Sequence, residues 1–148
     1  MDYIYNAVFE ADPDGGFAVN FPDVPEAITG GKDEAEAEAN AADGLAAALS
    51  GYIIDEQPLP EAKFKGGVPV FVGALNAAKF AVIAAFRTAG ITKTELARRL
   101  GKDEKEVRRL LDPDQLTKMQ SLEQALAALG KQVVITVRDV RPAVSRAV

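Results

Sequence analysis

The sequence predicts an α+β protein in two parts: an N-terminal antiparallel sheet with a packed helix, then an all-α helix-turn-helix region followed by a strand. Three observations carry this expectation. Apolar residues alternate with period two near the N-terminus, the pattern changes to a helical period after Gly73, and the two halves carry opposite charge. Residues 1–75 hold 14 acidic against 3 basic side chains, a balance of −11, whereas residues 76–148 hold 8 acidic against 14 basic, a balance of +6. The expected organisation is an acidic partner-binding domain over residues 1–73, a helical domain with its terminal strand over 74–140, and a basic tail over 141–148.

Residues 3–9 read as a strand, with Tyr3, Tyr5, Ala7 and Phe9 on one face and Ile4, Asn6 and Val8 on the other. Asp12-Pro13-Asp14-Gly15-Gly16 is a turn, because proline presets one φ and glycine accepts a positive one. Phe17, Val19 and Phe21 alternate again and complete a hairpin, which Pro22 and Pro25 end because neither can donate to a ladder. A third short strand is expected over residues 27–29. Asp33 then caps a helix, with Glu34, Glu36 and Glu38 near its positive end and Leu45, Ala48, Leu49, Tyr52 and Ile53 along its inner stripe. Gln57-Pro58-Leu59-Pro60 stops that helix, and residues 68–72 supply a further strand.

In the C-terminal half, Asn76 is placed to cap a helix carrying Phe80, Val82, Ile83 and Phe86 and ending at Gly90. Thr92 caps a second helix over residues 93–100, with Glu95 at the third position for a capping box and Leu96, Ala97 and Leu100 facing inward. Gly101 makes the turn. Asp103 opens a third helix in which Val107, Leu110 and Leu111 point inward until Asp112-Pro113 breaks it. Ser121 is placed to cap a fourth, with Leu122, Ala125, Leu126 and Leu129 inside and Gly130 at its end.

Helix, glycine-containing turn, helix is the arrangement that lays its second helix in the DNA major groove. It leaves Lys102, Glu104, Lys105, Arg108 and Arg109 facing outward or partly outward. Lys105 is the candidate for base-edge contact, and Arg108 and Arg109 divide between a base and a phosphate. Lys93 and Thr94, at the start of the preceding helix, are placed for phosphate or nearby base contact. Glu104 and Glu106 repel phosphate, although a glutamate can accept from cytosine. Residues 131–137 then read as a strand with Val133, Ile135 and Val137 on one face. It has no ladder partner nearby in sequence; it pairs either with the same strand of a second copy, giving the homodimer that two half-sites need, or with the N-terminal sheet or residues 68–72.

Composition narrows the function further. There is no cysteine and no histidine, which removes disulfides, the commonest metal ligands and the commonest general acid–base group, and fits a reducing cytoplasm. No apolar run reaches the roughly 18 residues of a membrane span, and residues 1–10 lack the basic start of a secretion signal. Asp12, Asp14, Asp23 and Glu26 sit in or beside turns, where carboxylates bond the local backbone. A two-metal nuclease instead needs carboxylates converging from adjacent strands, whose interiors here are apolar or aromatic. A binding protein without enzymatic activity, metal or cofactor is expected.

The run Asp14-Gly15-Gly16-Phe17-Ala18-Val19-Asn20-Phe21-Pro22-Asp23-Val24-Pro25, followed by Thr29, Gly30 and an acidic alanine-rich helix, resembles the HicB family of antitoxins. The C-terminal half is similar to the version of that family with a repressor-type helix-turn-helix. There the match runs from Gly90-Ile91-Thr92-Lys93-Thr94-Glu95-Leu96-Ala97 through Val107-Arg108-Arg109-Leu110-Leu111-Asp112-Pro113 to Ala127-Ala128-Leu129-Gly130. Glu26-Ala27 stands where the family usually has Gly-Cys. Lys93 and Asp103 replace a frequent glutamine and serine. The resemblance implies a partial ribonuclease-H-like N-terminal fold, a HicA-type RNA-cleaving toxin as partner, and repression of the shared operon through its operator DNA. The competing expectation is a stand-alone repressor whose N-terminal domain senses a ligand.

Overall fold

The computed structural model describes residues 2–140. It forms two compact units, one of residues 2–73 and one of Ala74–Val137. The expected tail over 141–148 lies outside the described residues.

In the first unit four strands, β1 (Ile4–Ala11), β2 (Phe17–Asn20), β3 (Ile28–Gly31) and β4 (Val68–Phe71), form one sheet in the order β3-β2-β1-β4. All three neighbouring pairs are antiparallel. The β1 register places Phe9 opposite Val19 and Tyr5 opposite Val70, so the period-two pattern puts Tyr5, Ala7, Val19, Val68 and Val70 on one buried face. That face is covered by α1 (Glu34–Ile54), which buries Ala37, Ala41, Leu45, Leu49 and Ile53, four residues apart throughout. Asp33 caps α1 through the Glu36 N–H at 2.9 Å, as its position before the helix requires.

The helix approaches β3 closely. A Cβ on Gly31 would come within 2.4 Å of the Ala37 nitrogen, so only glycine fits there. Asn40 donates its side-chain amide to the Gly30 carbonyl at 2.8 Å, which occupies an acceptor on the edge strand.

The second unit has four helices: α2 (Ala74–Ala89), α3 (Lys93–Leu100), α4 (Glu104–Leu110) and α5 (Met119–Ala128). Ala78, Val82, Leu96, Ala97, Val107, Leu110, Leu122, Ala125 and Leu126 make one core, with Ile91, Leu100, Leu111, Leu129 and Val133 packed at its edge. The inward residues of α3, α4 and α5 are those the helical spacing selects.

Three helix starts differ from expectation. The first helix begins at Ala74, so Asn76 lies within its first turn. The last begins at Met119 after Lys118, which makes no side-chain cap, and Ser121 falls inside it. At α3, Thr92 accepts from the Glu95 N–H at 3.0 Å, but the Glu95 carboxylate turns to Arg98 and Arg99 and leaves the capping box half made. A complete capping box occurs at α4 instead, where the Asp103 carboxylate accepts from the Glu106 N–H and the Glu106 carboxylate from the Asp103 N–H.

The strand expected over residues 131–137 is not formed within the chain; these residues run without ladder partners. Val133 packs at the edge of the helical core rather than joining Ile135 and Val137 on an open face. Val134 (84%), Ile135 (64%) and Val137 (91%) are exposed.

Candidate nucleic-acid interface and acidic surface

The turn between α3 and α4 is three residues long. Gly101 takes the left-handed conformation (φ 65°, ψ 33°), and its N–H returns to the Ala97 and Arg98 carbonyls, closing α3. Asp103 immediately opens α4. Because Val107 and Leu110 are buried, the opposite surface of α4 is open, and it carries Lys105, Arg108 and Arg109. Their i, i+3, i+4 spacing puts the three cations on one face. Lys93, Thr94 and Glu104 are exposed as well, whereas Lys102 is half-buried.

Several of these groups are already partnered. Thr94 Oγ1 donates to Glu104 Oε1 across the turn, and Glu104 lies 3.8 Å from Arg108. Glu106 is committed to the cap. Lys102 and Arg109 line a shallow groove of about 210 Å³ together with Lys118, Thr117 and Ser121. Beside the turn, Glu95 receives Arg98 at 2.6 Å and Arg99 at 3.1 Å. These two guanidinium groups hold its carboxyl down at about 2. Arg99 also donates to the Ala128 carbonyl at 3.1 Å, joining α3 to the end of α5.

Sequence reasoning missed two contributors. Lys118 lines the groove with Lys102 and Arg109. Lys79, on α2, is buried at 4% exposure.

Of the turn carboxylates in the first unit, Asp12 bonds its local backbone as expected, whereas Asp23 and Glu26 bond groups distant in the chain. Asp12 accepts from the Asp14 N–H at 2.9 Å in the hairpin turn. Asp23 accepts from the Lys63 and Phe64 N–H groups at 2.8 and 2.7 Å and so fixes the segment leading to β4. Glu26 accepts from the Tyr52 hydroxyl at 2.8 Å, which raises the tyrosine pKa. Among the described residues no three of Asp, Glu, His or Cys come together as a metal site would need. Gly16 and Gly31 pack so closely that a Cβ on Gly16 would lie 2.5 Å from the Gly31 carbonyl oxygen. That contact brings Asp12 and Asp14 at the hairpin tip to the same end of the unit as Asp33 and Glu36 at the start of α1. Lys32 meets Glu36 there at 3.8 Å, in an exposed pair. Among the described residues no single helix is long and apolar enough to cross a membrane.

Residues 4–81 match the family model described as a HicB_like antitoxin of a bacterial toxin-antitoxin system. The chain belongs to the HicB-like antitoxin family. Similarity to curated members extends through the helical half. Antitoxin HicB 2 of Photorhabdus laumondii is 39% identical over 129 residues, covering 87% of this chain and 92% of that protein. Antitoxin HicB of Escherichia coli K12 is 37% identical over 131 residues, covering 87% and 95%. Antitoxin HicB of Pseudomonas fluorescens is 31% identical over 126 residues, covering 83% and 86%. The family model therefore takes in the whole sheet, α1 and the start of α2, and the HicB relatives carry the likeness on through α3 to α5.

Proposed function

We propose that this HicB-like antitoxin neutralises a basic, HicA-type RNA-cleaving toxin through residues 2–73 and represses its own operon through α3 and α4. In this reading α3 and α4 form a helix-turn-helix: α4 enters the major groove of operator DNA while α3 crosses the phosphate backbone. Lys105 reads a base edge, Arg108 and Arg109 serve base and phosphate, and Lys93, Thr94 and Lys102 serve phosphate. The observation that carries the reading is the polarity of charge. An acidic first unit repels nucleic acid and attracts a basic protein, whereas the open cationic face of α4 suits a duplex.

The acidic unit would occupy the surface a toxin uses for RNA, so inhibition is stoichiometric and needs no cofactor. The partial ribonuclease-H-like assignment of β1–β4 and α1 belongs to the same reading, as does a cytoplasmic setting. A homodimer is proposed through the segment carrying Val133, Ile135 and Val137. Pairing of two such segments would cover Ile135 and Val137 and match the two-fold symmetry of paired half-sites.

The deciding experiment is footprinting of the upstream region by the purified protein, with and without the product of an adjacent frame encoding a small basic protein. Protection of a paired half-site, together with co-purification of the two proteins, is the expected result. Absence of both would remove the reading.

A further inference from the structure

Lys79, on α2, is the one charged side chain fully buried among the described residues. Its ammonium has three hydrogens and finds three acceptors: the Arg109 carbonyl at 3.1 Å, the Leu110 carbonyl at 3.1 Å and Thr117 Oγ1 at 2.5 Å. Two of these are carbonyls of the last turn of α4: the Arg109 carbonyl also accepts the Asp112 N–H at 3.2 Å, and the Leu110 carbonyl lies at the very end of the helix. They also form the negative end of that helix dipole. The third lies in the connection to α5.

The two helices that flank the turn end differently. The carbonyls at the end of α3 are closed by the left-handed Gly101. After α4 there is no glycine; Leu111 follows with φ −93° and ψ 0°, so the left-handed closing motif is missing. The Leu111 and Asp112 N–H groups bond the Val107 and Arg109 carbonyls, and Lys79 adds donors to the Arg109 and Leu110 carbonyls from inside the core, where its neighbours Ala78 and Val82 pack with Val107 and Leu110. Helix α4 spans only seven residues, too few to hold its shape alone. The Asp103–Glu106 box fixes its start and Lys79 fixes its end. Desolvation lowers the Lys79 pKa, and the nearby Asp112 charge acts in the opposite sense.

We propose that Lys79 is the positioning residue of α4: its buried ammonium holds the last turn and thereby sets the direction in which Arg108 and Arg109 project. The structural part stands on the hydrogen bonds alone, and the functional consequence rests on the DNA-binding reading above.

The test compares the full-length wild type with Lys79→Met, which keeps length and apolar volume but removes all three donors. Amide exchange at Leu111 and Asp112 should accelerate by about tenfold or more while α3 amides keep their rates. Affinity for the upstream promoter duplex should fall by roughly 10- to 100-fold, with a flatter salt dependence. The chain has no native cysteine, so Lys79→Cys offers a chemical rescue. Unfolded protein is alkylated on its sole thiol with bromoethylamine, the thiolate displacing bromide, and refolded with an ammonium restored at nearly the original length. Recovery of both readouts supports a positioning role that a loss of packing would not reproduce. If Lys79→Met does not fold, Thr117→Val removes one acceptor only and should give a smaller acceleration at the same amides. Wild-type exchange and affinity in Lys79→Met, or a loss that alkylation fails to repair, would overturn the proposal. If exchange accelerates but the wild type binds no duplex, the DNA-binding reading fails and the anchoring of α4 stands.

Discussion

Thr94 at the start of α3 donates its hydroxyl to the carboxylate of Glu104 at the start of α4, so two residues expected to face DNA hold each other across the turn. Glu104 also sits 3.8 Å from Arg108 and offsets part of its charge. The carboxylate therefore tempers the cationic face of α4 while linking the two helices.

Removing that carboxylate should strengthen duplex binding. Glu104→Gln keeps an acceptor for Thr94 but frees Arg108, so affinity for any duplex rises by roughly two- to fivefold and the salt slope steepens. Fluorescence anisotropy over a range of salt concentrations reads both. A weaker complex would mean that Glu104 contacts a base.

The cations of α4 and α3 should separate by kind of contact. Lys105→Ala is expected to cost about 1–3 kcal/mol on the best site and to relax preference at one position. Lys93→Ala should weaken all sequences alike and lower the salt slope by about 1. Competition binding with a set of single-base operator variants distinguishes the two patterns.

The complete capping box at α4 makes a stability prediction. Asp103→Ala removes the acceptor for the Glu106 N–H at 2.8 Å and should destabilise the helical unit by about 1 kcal/mol, whereas Asp103→Ser should cost less. Urea unfolding followed by circular dichroism measures this. An unchanged midpoint for Asp103→Ala would show that the box contributes nothing.

Glu95 predicts an acid dependence whose sign follows from its pKa. The carboxyl sits at about 2 in the folded protein against an ordinary 4.5, because Arg98 and Arg99 favour its charged form. Its contribution to stability is therefore complete above 4.5 and disappears as pH falls towards 2. Since the group is exposed to solvent and screened, the effect is modest. Glu95→Gln should lower stability at neutral pH and lose less than wild type on acidification. Parallel curves for both proteins between pH 6 and pH 2.5 would contradict the pairing.

Much of this fold is legible in the residues because burial imposes a period. Alternation along β1 and β2 gives the buried face of the sheet, and the i, i+4 spacing of Leu45, Leu49 and Ile53 gives the inner face of α1. Helix starts are less legible where no side chain marks them. Ala74 and Met119 begin helices, whereas Asn76 and Ser121 resemble caps and lie inside the first turns. Glu95 satisfies two spacing rules at once. Two guanidinium groups at i+3 and i+4 outcompete a single backbone N–H for its carboxylate. Residues 131–137 carry a strand pattern, but a strand also needs a partner, and the described residues of the single chain supply none.

The candidate interface divides in the same way. Exposure of Lys105, Arg108 and Arg109 follows from the helical spacing of Val107 and Leu110. The hold of Lys79 on the end of α4 spans 30 residues of chain and depends on tertiary packing that local pattern does not encode.

Opposite polarity in the two units is tested most directly by measuring one protein against two ligands. The Lys105/Arg108/Arg109 triple alanine variant and the wild type should be titrated side by side with the promoter duplex and with the neighbouring basic protein. Loss of about 100-fold or more on DNA, with unchanged affinity for the protein, is the expected result. Equal binding of both proteins to the duplex would contradict it.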